Sequence, residues 1–115
     1  MTTDSSQPTT RLISLCSVAE VPQGEVIKVE KDGFTLAVFH LDNRFYVTDD
    51  HCTHGPGSLS EGEIEGDVIV CNFHNGAFHI PTGNVDRRPC TVPVRTYGVR
   101  IVDHQVCIDP DAHAG

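Results

Sequence analysis

Two short segments of this 115-residue chain each place a cysteine close to a histidine. Cys52 and His54 are separated by one residue, and Cys71 and His74 by two. A thiolate and an imidazole at such spacing are the donors expected where a loop wraps around a metal. Sixteen residues lie between His54 and Cys71, enough for a strand and a turn that bring the second segment back beside the first. We therefore expect the fold to bring the two segments together.

Two cysteines and two histidines on paired loops leave two metal centres open. One is a structural zinc site with two ligands of each type. The other is a 2Fe–2S cluster in which two histidines replace two cysteines on one iron. Zinc sites usually place at least two residues between paired ligands, whereas the first pair here has one. Glycine-rich loops also favour the cluster, because backbone N–H groups must approach its sulfides closely. The remaining alternative is that these cysteines and histidines are unrelated core and surface residues. Two matched pairs in glycine-rich loops argue against it.

The rest of the sequence predicts short β-strands separated by turns. Asp32-Gly33 lies between two apolar runs and predicts a two-residue hairpin turn, because glycine accepts the positive φ that such a turn needs. Asp42-Asn43 and Asp103-His104 mark further turns, and residues 17–20 predict a short helical turn. The predicted strands are Leu12–Cys16, Glu25–Val29, Phe34–His40, Arg44–Thr48, Asp67–Cys71, Ala77–Ile80, Val99–Val102 and Val106–Ile108. Strands this short and evenly spaced predict an all-β sandwich or barrel.

The length predicts one domain. Residues 1–10 are polar and rich in Ser and Thr, so we expect a disordered tail there. The folded domain is predicted to span residues 11–109, followed by a short tail over residues 110–115. Residues 49–84 contain four of the seven histidines and no Lys or Arg. We expect this stretch to form a subdomain around the two Cys/His segments.

Composition excludes several classes of partner. The chain has 16 acidic against 8 basic residues, which argues against nucleic acid or an anionic membrane as a partner. Apolar runs fall well short of the roughly 20 residues of a membrane span, and the N-terminus lacks a signal-peptide pattern. Five cysteines, an odd number, argue against a disulfide scaffold. We therefore expect a cytoplasmic protein.

The complete pattern, Cys-x-His followed after sixteen residues by Cys-x-x-His, resembles the ligand motif of Rieske 2Fe–2S proteins. The match extends to Gly76, Phe78 and the turn at Thr82-Gly83. The strand spacing is similar to that of the Rieske ferredoxins of bacterial aromatic-ring dioxygenase systems. This resemblance implies a Rieske-like fold of three small antiparallel sheets, with a cluster-binding subdomain at one tip.

The resemblance also implies a ligand set. Cys52 and Cys71 would bind the buried iron of one 2Fe–2S cluster, and His54 and His74 the outer iron. Two ferric ions, two sulfides, two thiolates and two neutral imidazoles sum to zero charge, and reduction gives minus one. An all-thiolate cluster would start at minus two, so the histidine pair makes an electron easier to accept. With every metal position filled, electron transfer is the chemistry that remains.

Departures from the wider Rieske pattern predict a low reduction potential. Respiratory Rieske proteins carry a disulfide between the two loops, and the corresponding residues here are Gly57 and Phe73. Those proteins also place hydroxyl donors where this chain has Gly76 and Phe78. Hydrogen bonds to the sulfurs stabilise the reduced cluster, so their loss lowers the potential. We expect a value near the lower end of the Rieske range of roughly −150 to +300 mV.

The resemblance implies a soluble, monomeric one-electron carrier and not an enzyme. It would pass electrons from an NADH-dependent flavoprotein reductase to a terminal ring-hydroxylating oxygenase. One alternative is a Rieske-like accessory subunit of a larger redox enzyme, such as nitrite reductase. Another is a zinc-stabilised interaction module.

The remaining cysteines and acids have simpler interpretations. Cys16, Cys90 and Cys107 lack a partner at ligand spacing and are expected to be small buried apolar residues. His51 is expected at the surface or supporting the metal ligands. One group of acids is either a docking patch for a basic protein or a solvated rim. This group comprises Asp49, Asp50, Glu61, Glu63, Glu65 and Asp67.

Overall fold

The computed structural model describes residues 12–53, 57–71, 76–88 and 92–109. Within these residues the chain forms ten β-strands and two short 3-10 helices, Val18–Glu20 and Leu59–Glu61. The strands are β1 (Ile13–Ser17), β2 (Val26–Lys31), β3 (Phe34–Leu41), β4 (Arg44–Asp49), β5 (Glu63–Glu65), β6 (Val68–Val70), β7 (Ala77–His79), β8 (Val85–Arg87), β9 (Thr96–Val102) and β10 (Gln105–Asp109). Over the described ranges, no helix is long and apolar enough to cross a membrane.

Three hairpin turns lie where the sequence predicts them. Asp32-Gly33 joins β2 to β3, Asp42-Asn43 joins β3 to β4, and Asp103-His104 joins β9 to β10. All six residues have φ between +50° and +85°. Positive φ at both central residues is typical of type I′ turns, whose twist matches that of the strands they join. The helical turn predicted for residues 17–20 is also present, and the Ser17 side chain caps it.

All strand pairs are antiparallel, and the strands form two hydrogen-bonded sheets. The larger has the order β1-β10-β9-β4-β3-β2, and the smaller has the order β5-β6-β7-β8. Strand β9 pairs with β4 through Thr96 and Tyr97, and with β10 over residues 98–102. The larger sheet therefore divides at β9 into two halves. The predicted all-β fold with antiparallel sheets is confirmed, but the described strands form two sheets rather than three, because β9 joins β4 to β10.

Strand β3 lies between two hydrophobic cores. Leu36 and Val38 point into a core shared with β1, β4, β9 and β10. Ala37, Phe39 and Leu41 point into a second core shared with the four-stranded sheet. Side chains alternate between the two faces of a strand, so one apolar strand serves both cores. The second core also contains Cys52 and Cys71.

Three features of the strands differ from the sequence prediction. Strand β5, which has the sequence Glu-Ile-Glu, and the short β8 were not predicted. Strand β9 begins at Thr96 rather than Val99, because its first residues pair with β4. The Tyr97 hydroxyl donates a hydrogen bond to Asp49 Oδ1 at 2.5 Å. Burial and this hydrogen bond raise the pKa of Tyr97. Tertiary pairing therefore extends β9 beyond its apolar run.

The domain boundaries predicted at residues 11–109, and at 49–84 for the subdomain, stay predictions. The tails predicted over residues 1–10 and 110–115 lie outside the described residues.

Candidate metal centre

The two predicted cysteine ligands each begin a six-residue loop closed in the same way. We call residues 52–57 the first cysteine loop and residues 71–76 the second cysteine loop. The Cys52 N–H donates to the Gly57 carbonyl at 2.9 Å, and the Cys71 N–H donates to the Gly76 carbonyl at 2.7 Å. The sequence predicts a pair of matched loops, and the described ends of both loops match.

Both cysteines lie in the interior of the molecule. Cys52 is 0% exposed and Cys71 is 1% exposed, and they belong to the same hydrophobic core. The four cysteines that the structure describes form no disulfide. Two buried thiols at the heads of matched loops fit the cysteine half of a 2Fe–2S site.

The histidine half of the predicted site lies outside the described residues. His54 falls within the first cysteine loop and His74 within the second, but the structure describes neither. Among the residues it does describe, no group of three or more His, Cys, Asp or Glu side chains comes together as a metal site. The four-ligand set stays a prediction, of which the structure places the two cysteines.

A short antiparallel stem supports the first cysteine loop. The Leu59 N–H donates to the Asp50 carbonyl at 2.7 Å, and His51 bridges to Ser58. The Asp50 carboxylate accepts hydrogen bonds from the Ser58 hydroxyl and, at 2.7 Å, from the Ser60 N–H. Side chains and backbone together therefore join the two arms of the stem.

The first cysteine loop is also tied to the segment before β9. The Thr53 hydroxyl donates to the Val92 carbonyl at 2.6 Å. Val92 is one of the exposed large apolar residues, at 55% exposure. This bond crosses 39 positions of sequence and holds the segment beside the loop.

The second cysteine loop is supported by regular sheet pairing. It connects β6 to β7, where Val70 pairs with Ala77 and Ile69 with Phe78. At the other end of this hairpin, His79 contacts Asp67 Oδ2 and Thr82 Oγ1, each at 2.9 Å. The loop therefore extends directly from two paired strands.

The residues predicted to lower the potential are partly described. Phe78 is fully buried in the core that contains both cysteines. Gly57 and Gly76 close the two loops with their carbonyls. Phe73 lies outside the described residues. The side chains at positions 57, 76 and 78 offer neither a thiol nor a hydroxyl, as the sequence indicates.

The candidate docking patch is smaller than the sequence suggested. Asp50 is 2% exposed and hydrogen-bonded within the stem, so its assignment to a surface patch was wrong. Sequence reasoning missed this structural role, because only the fold brings Ser58 and Ser60 to the carboxylate. Glu65 lies 3.5 Å from Arg87 and Asp67 lies 2.9 Å from His79, both at the surface. Whether residues 61–67 bind a partner stays a prediction.

The other described cysteines agree with their predicted apolar role. Cys16 is 6% exposed and Cys107 is 5% exposed. Burial, together with Glu20 and Cys107, raises the pKa of the Cys16 thiol to about 11. Such a thiol stays protonated at neutral pH and is a poor metal ligand. Cys90 lies outside the described residues, and His51 is exposed as expected.

Comparisons with known proteins identify the family. The family model for the Rieske [2Fe-2S] domain matches residues 11–98. The chain is 44% identical over 95 residues to the biphenyl dioxygenase ferredoxin subunit of Pseudomonas sp. strain KKS102, an alignment covering 82% of this chain and 87% of that protein. The chain belongs to the Rieske [2Fe-2S] domain family.

Solved structures of ferredoxin systems also resemble this chain. The Sphingomonas yanoikuyae B1 ferredoxin superposes with a TM-score of 0.83 at 43% identity, covering 86% of this chain and 98% of that one. A chain from the complex of reduced oxygenase and oxidized ferredoxin in carbazole 1,9a-dioxygenase gives a TM-score of 0.82 at 37% identity, covering 90% of this chain and 97% of that one.

These relatives define the class of this protein. It is a Rieske ferredoxin with one Rieske-type 2Fe–2S cluster, and it acts as an electron carrier, not as an enzyme. The predicted resemblance to ferredoxin components of aromatic dioxygenase systems is confirmed, and the alternative of a zinc-stabilised module is wrong.

Proposed function

We propose that Cys52, His54, Cys71 and His74 hold the cluster. The observation that supports this most directly is the matched pair of cysteine loops, each headed by a buried thiol and closed by the same backbone hydrogen bond. Each loop also contains one of the two histidines. When bound, the cluster accepts and releases one electron at a time. Cys52 and Cys71, both in the second core, would hold it together with the two histidines.

We further propose that the chain carries electrons to the terminal oxygenase of an aromatic-ring dioxygenase system from an NADH-dependent flavoprotein reductase. Support for the oxygenase comes from the biphenyl dioxygenase ferredoxin subunit and from the ferredoxin complexed with oxygenase of carbazole 1,9a-dioxygenase. The reductase follows from the family resemblance of the sequence. We expect a low potential, because positions 76 and 78 offer no hydroxyl to the cluster. We also expect a cytoplasmic monomer.

Spectroscopy of the purified protein tests the ligand set. We expect iron and sulfide in a 2:2 ratio per chain, as a 2Fe–2S cluster requires, and an EPR signal after reduction with dithionite. His54→Cys and His74→Cys should lower the potential or lose the cluster. His51→Ala, at the exposed neighbour of Cys52, is the matched control and should leave the spectrum unchanged. An unchanged spectrum in either ligand variant would reject that residue as a ligand.

Reconstituted turnover tests the partners. We expect NADH-driven hydroxylation only when a flavoprotein reductase, this chain and a terminal oxygenase are combined. Neutralising Glu61, Glu63, Glu65 and Asp67 should weaken turnover most at low salt if these acids dock onto a basic surface. No salt-dependent effect would identify them as a solvated rim. Isolation in a permanent complex would favour an accessory subunit over a mobile carrier.

A further inference from the structure

We propose that Asp50 is a positioning residue for the first cysteine loop and that its charge lowers the reduction potential of the cluster. This inference rests on the proposed function, because it takes Cys52 as a ligand. Asp50 follows β4 and precedes Cys52 by two residues. Its side chain lies in the stem below the loop and not on the surface.

The Asp50 carboxylate is buried with its hydrogen bonds satisfied. Asp50 is 2% exposed, and both carboxylate oxygens have donors on the opposite arm of the stem. Ser60 N–H donates to Oδ1 at 2.7 Å, and the Ser58 hydroxyl donates to Oδ2. A buried carboxylate with its acceptors satisfied holds both arms in one geometry. The arms continue directly into Cys52 and Gly57, the two ends of the loop.

The Asp50 carboxylate lies near a lysine ammonium. Among the described residues, the carboxylate has two hydrogen-bond donors and the Lys28 ammonium as partners, with Lys28 Nζ 4.0 Å from Oδ2. Hydrogen-bond donors and an ammonium are the partners that a carboxylate, which only accepts hydrogen bonds, can use. The Lys28 side chain is 44% exposed and also lies 3.8 Å from Glu30, so solvent and a second acid weaken its compensation. Within the described part of the chain, the stem therefore places beside the loop a carboxylate whose charge Lys28 compensates only in part.

The charge of Asp50 bears on the redox chemistry of the cluster. A Rieske cluster gains one negative charge on reduction, and a nearby buried anion opposes that gain. Asp50 therefore favours the oxidised form. The corresponding positions before Cys71 are Ile69 and Val70, which are apolar. An acidic side chain therefore precedes the first cysteine loop, whereas apolar side chains precede the second.

The test is the reduction potential of two variants that change charge in opposite directions. Asp50→Asn keeps the shape and removes the negative charge, so the reduction equilibrium should shift on the order of tenfold towards the reduced form, about 59 mV for a one-electron couple. Lys28→Met removes the compensating positive charge and should shift it about threefold towards the oxidised form. A role confined to loop packing does not predict opposite signs.

Matched controls exclude a general effect of net charge. Asp42→Asn removes an acid at the exposed β3–β4 turn, at the far end of β4, where asparagine tolerates the φ of +50°. Lys31→Met removes an exposed lysine from the end of β2. Both should leave the potential unchanged in voltammetry at high salt.

The outcomes separate this inference from the proposed function. A wild-type protein without a Rieske spectrum would refute the proposed function itself. A normal wild-type spectrum with the Asp50→Asn potential unchanged would overturn only the role of Asp50. Should Asp50→Asn fail to retain the cluster, Lys28→Met decides. A shift towards the oxidised form supports the inference, and no shift or the opposite shift overturns it.

Discussion

The two cysteine loops end alike but are supported in different ways. The second loop extends from β6 and β7, whose backbone pairing continues to Val70 and Ala77. The first loop leaves β4 and rests on a stem outside the regular sheets, fastened by the side chains of Asp50, Ser58 and Thr53. Regular strand pairing fixes register through the backbone, whereas an irregular stem needs particular side chains. Substitutions of side chains should therefore affect the first loop more than the second.

The largest expected effect is loss of the cluster when the cysteine that begins either loop is replaced. Cys52→Ala and Cys71→Ala each remove one predicted thiolate, and either should abolish cluster binding, as measured by iron and sulfide content. Cys107→Ala is the control, because Cys107 is also buried but lies outside both loops. It should retain full iron content. A cysteine-loop variant that kept its iron would break the equivalence of the two loops.

The next largest effect is expected at Gly62, where the segment that follows the first cysteine loop contacts β6, the strand that leads into the second cysteine loop. Gly62 ends the 3-10 helix after the first loop, and an added Cβ would lie 2.0 Å from the Val70 carbonyl oxygen, one residue before Cys71. Gly62→Ala should lower the free energy of unfolding by about 3 kcal/mol in urea titrations, because the backbone must move.

Gly66 supplies the control for that substitution. Its φ is +65° but the space around it is open, so Gly66→Ala should cost only about 1 kcal/mol. Equal losses for Gly62→Ala and Gly66→Ala would show that close contact between the two supports is unimportant.

A smaller effect tests the side-chain support of the first loop. Thr53→Val removes the hydroxyl that donates to the Val92 carbonyl and should cost about 1 kcal/mol of unfolding free energy. Thr53→Ser keeps the donor and should recover most of that loss. If the serine variant were no more stable than the valine variant, the hydrogen bond would not be the cause.

The smallest effect is expected in the hairpin of the second loop. Asp67→Asn weakens the contact with His79, but the Asp67 side chain is 60% exposed and backbone pairing remains. We expect less than about 0.5 kcal/mol of lost unfolding free energy and unchanged cluster content. A larger loss than that of Thr53→Val would reverse the ranking of the two loops.

Local signals allowed much of this molecule to be predicted. The turns at Asp32-Gly33 and Asp42-Asn43 depend on residues that tolerate positive φ, so the hairpins follow from adjacent positions. The spacing of Cys52, His54, Cys71 and His74 indicated a metal centre, because ligands on short loops must be close in sequence. Burial of Cys52 and Cys71 agrees with it.

Other features depend on contacts between distant segments. The acidic β5 was not predicted, because its Glu-Ile-Glu pattern becomes a strand only when β6 lies beside it. The first residues of β9 join the sheet because β4 offers partners to Thr96 and Tyr97. The sequence does not distinguish a surface acid at position 50 from a buried one.

The sequence by itself determined the hairpin turns and predicted the ligand types, because turn geometry and metal preference are properties of neighbouring residues. Only the tertiary structure decided how each loop is supported. Asp50 is buried because the stem brings Ser58 and Ser60 to its carboxylate. Cys52 and Cys71 share one core because β3 and the four-stranded sheet pack together there. Hydrophobic burial and hydrogen-bond satisfaction act across the whole fold, so residue order alone does not reveal them.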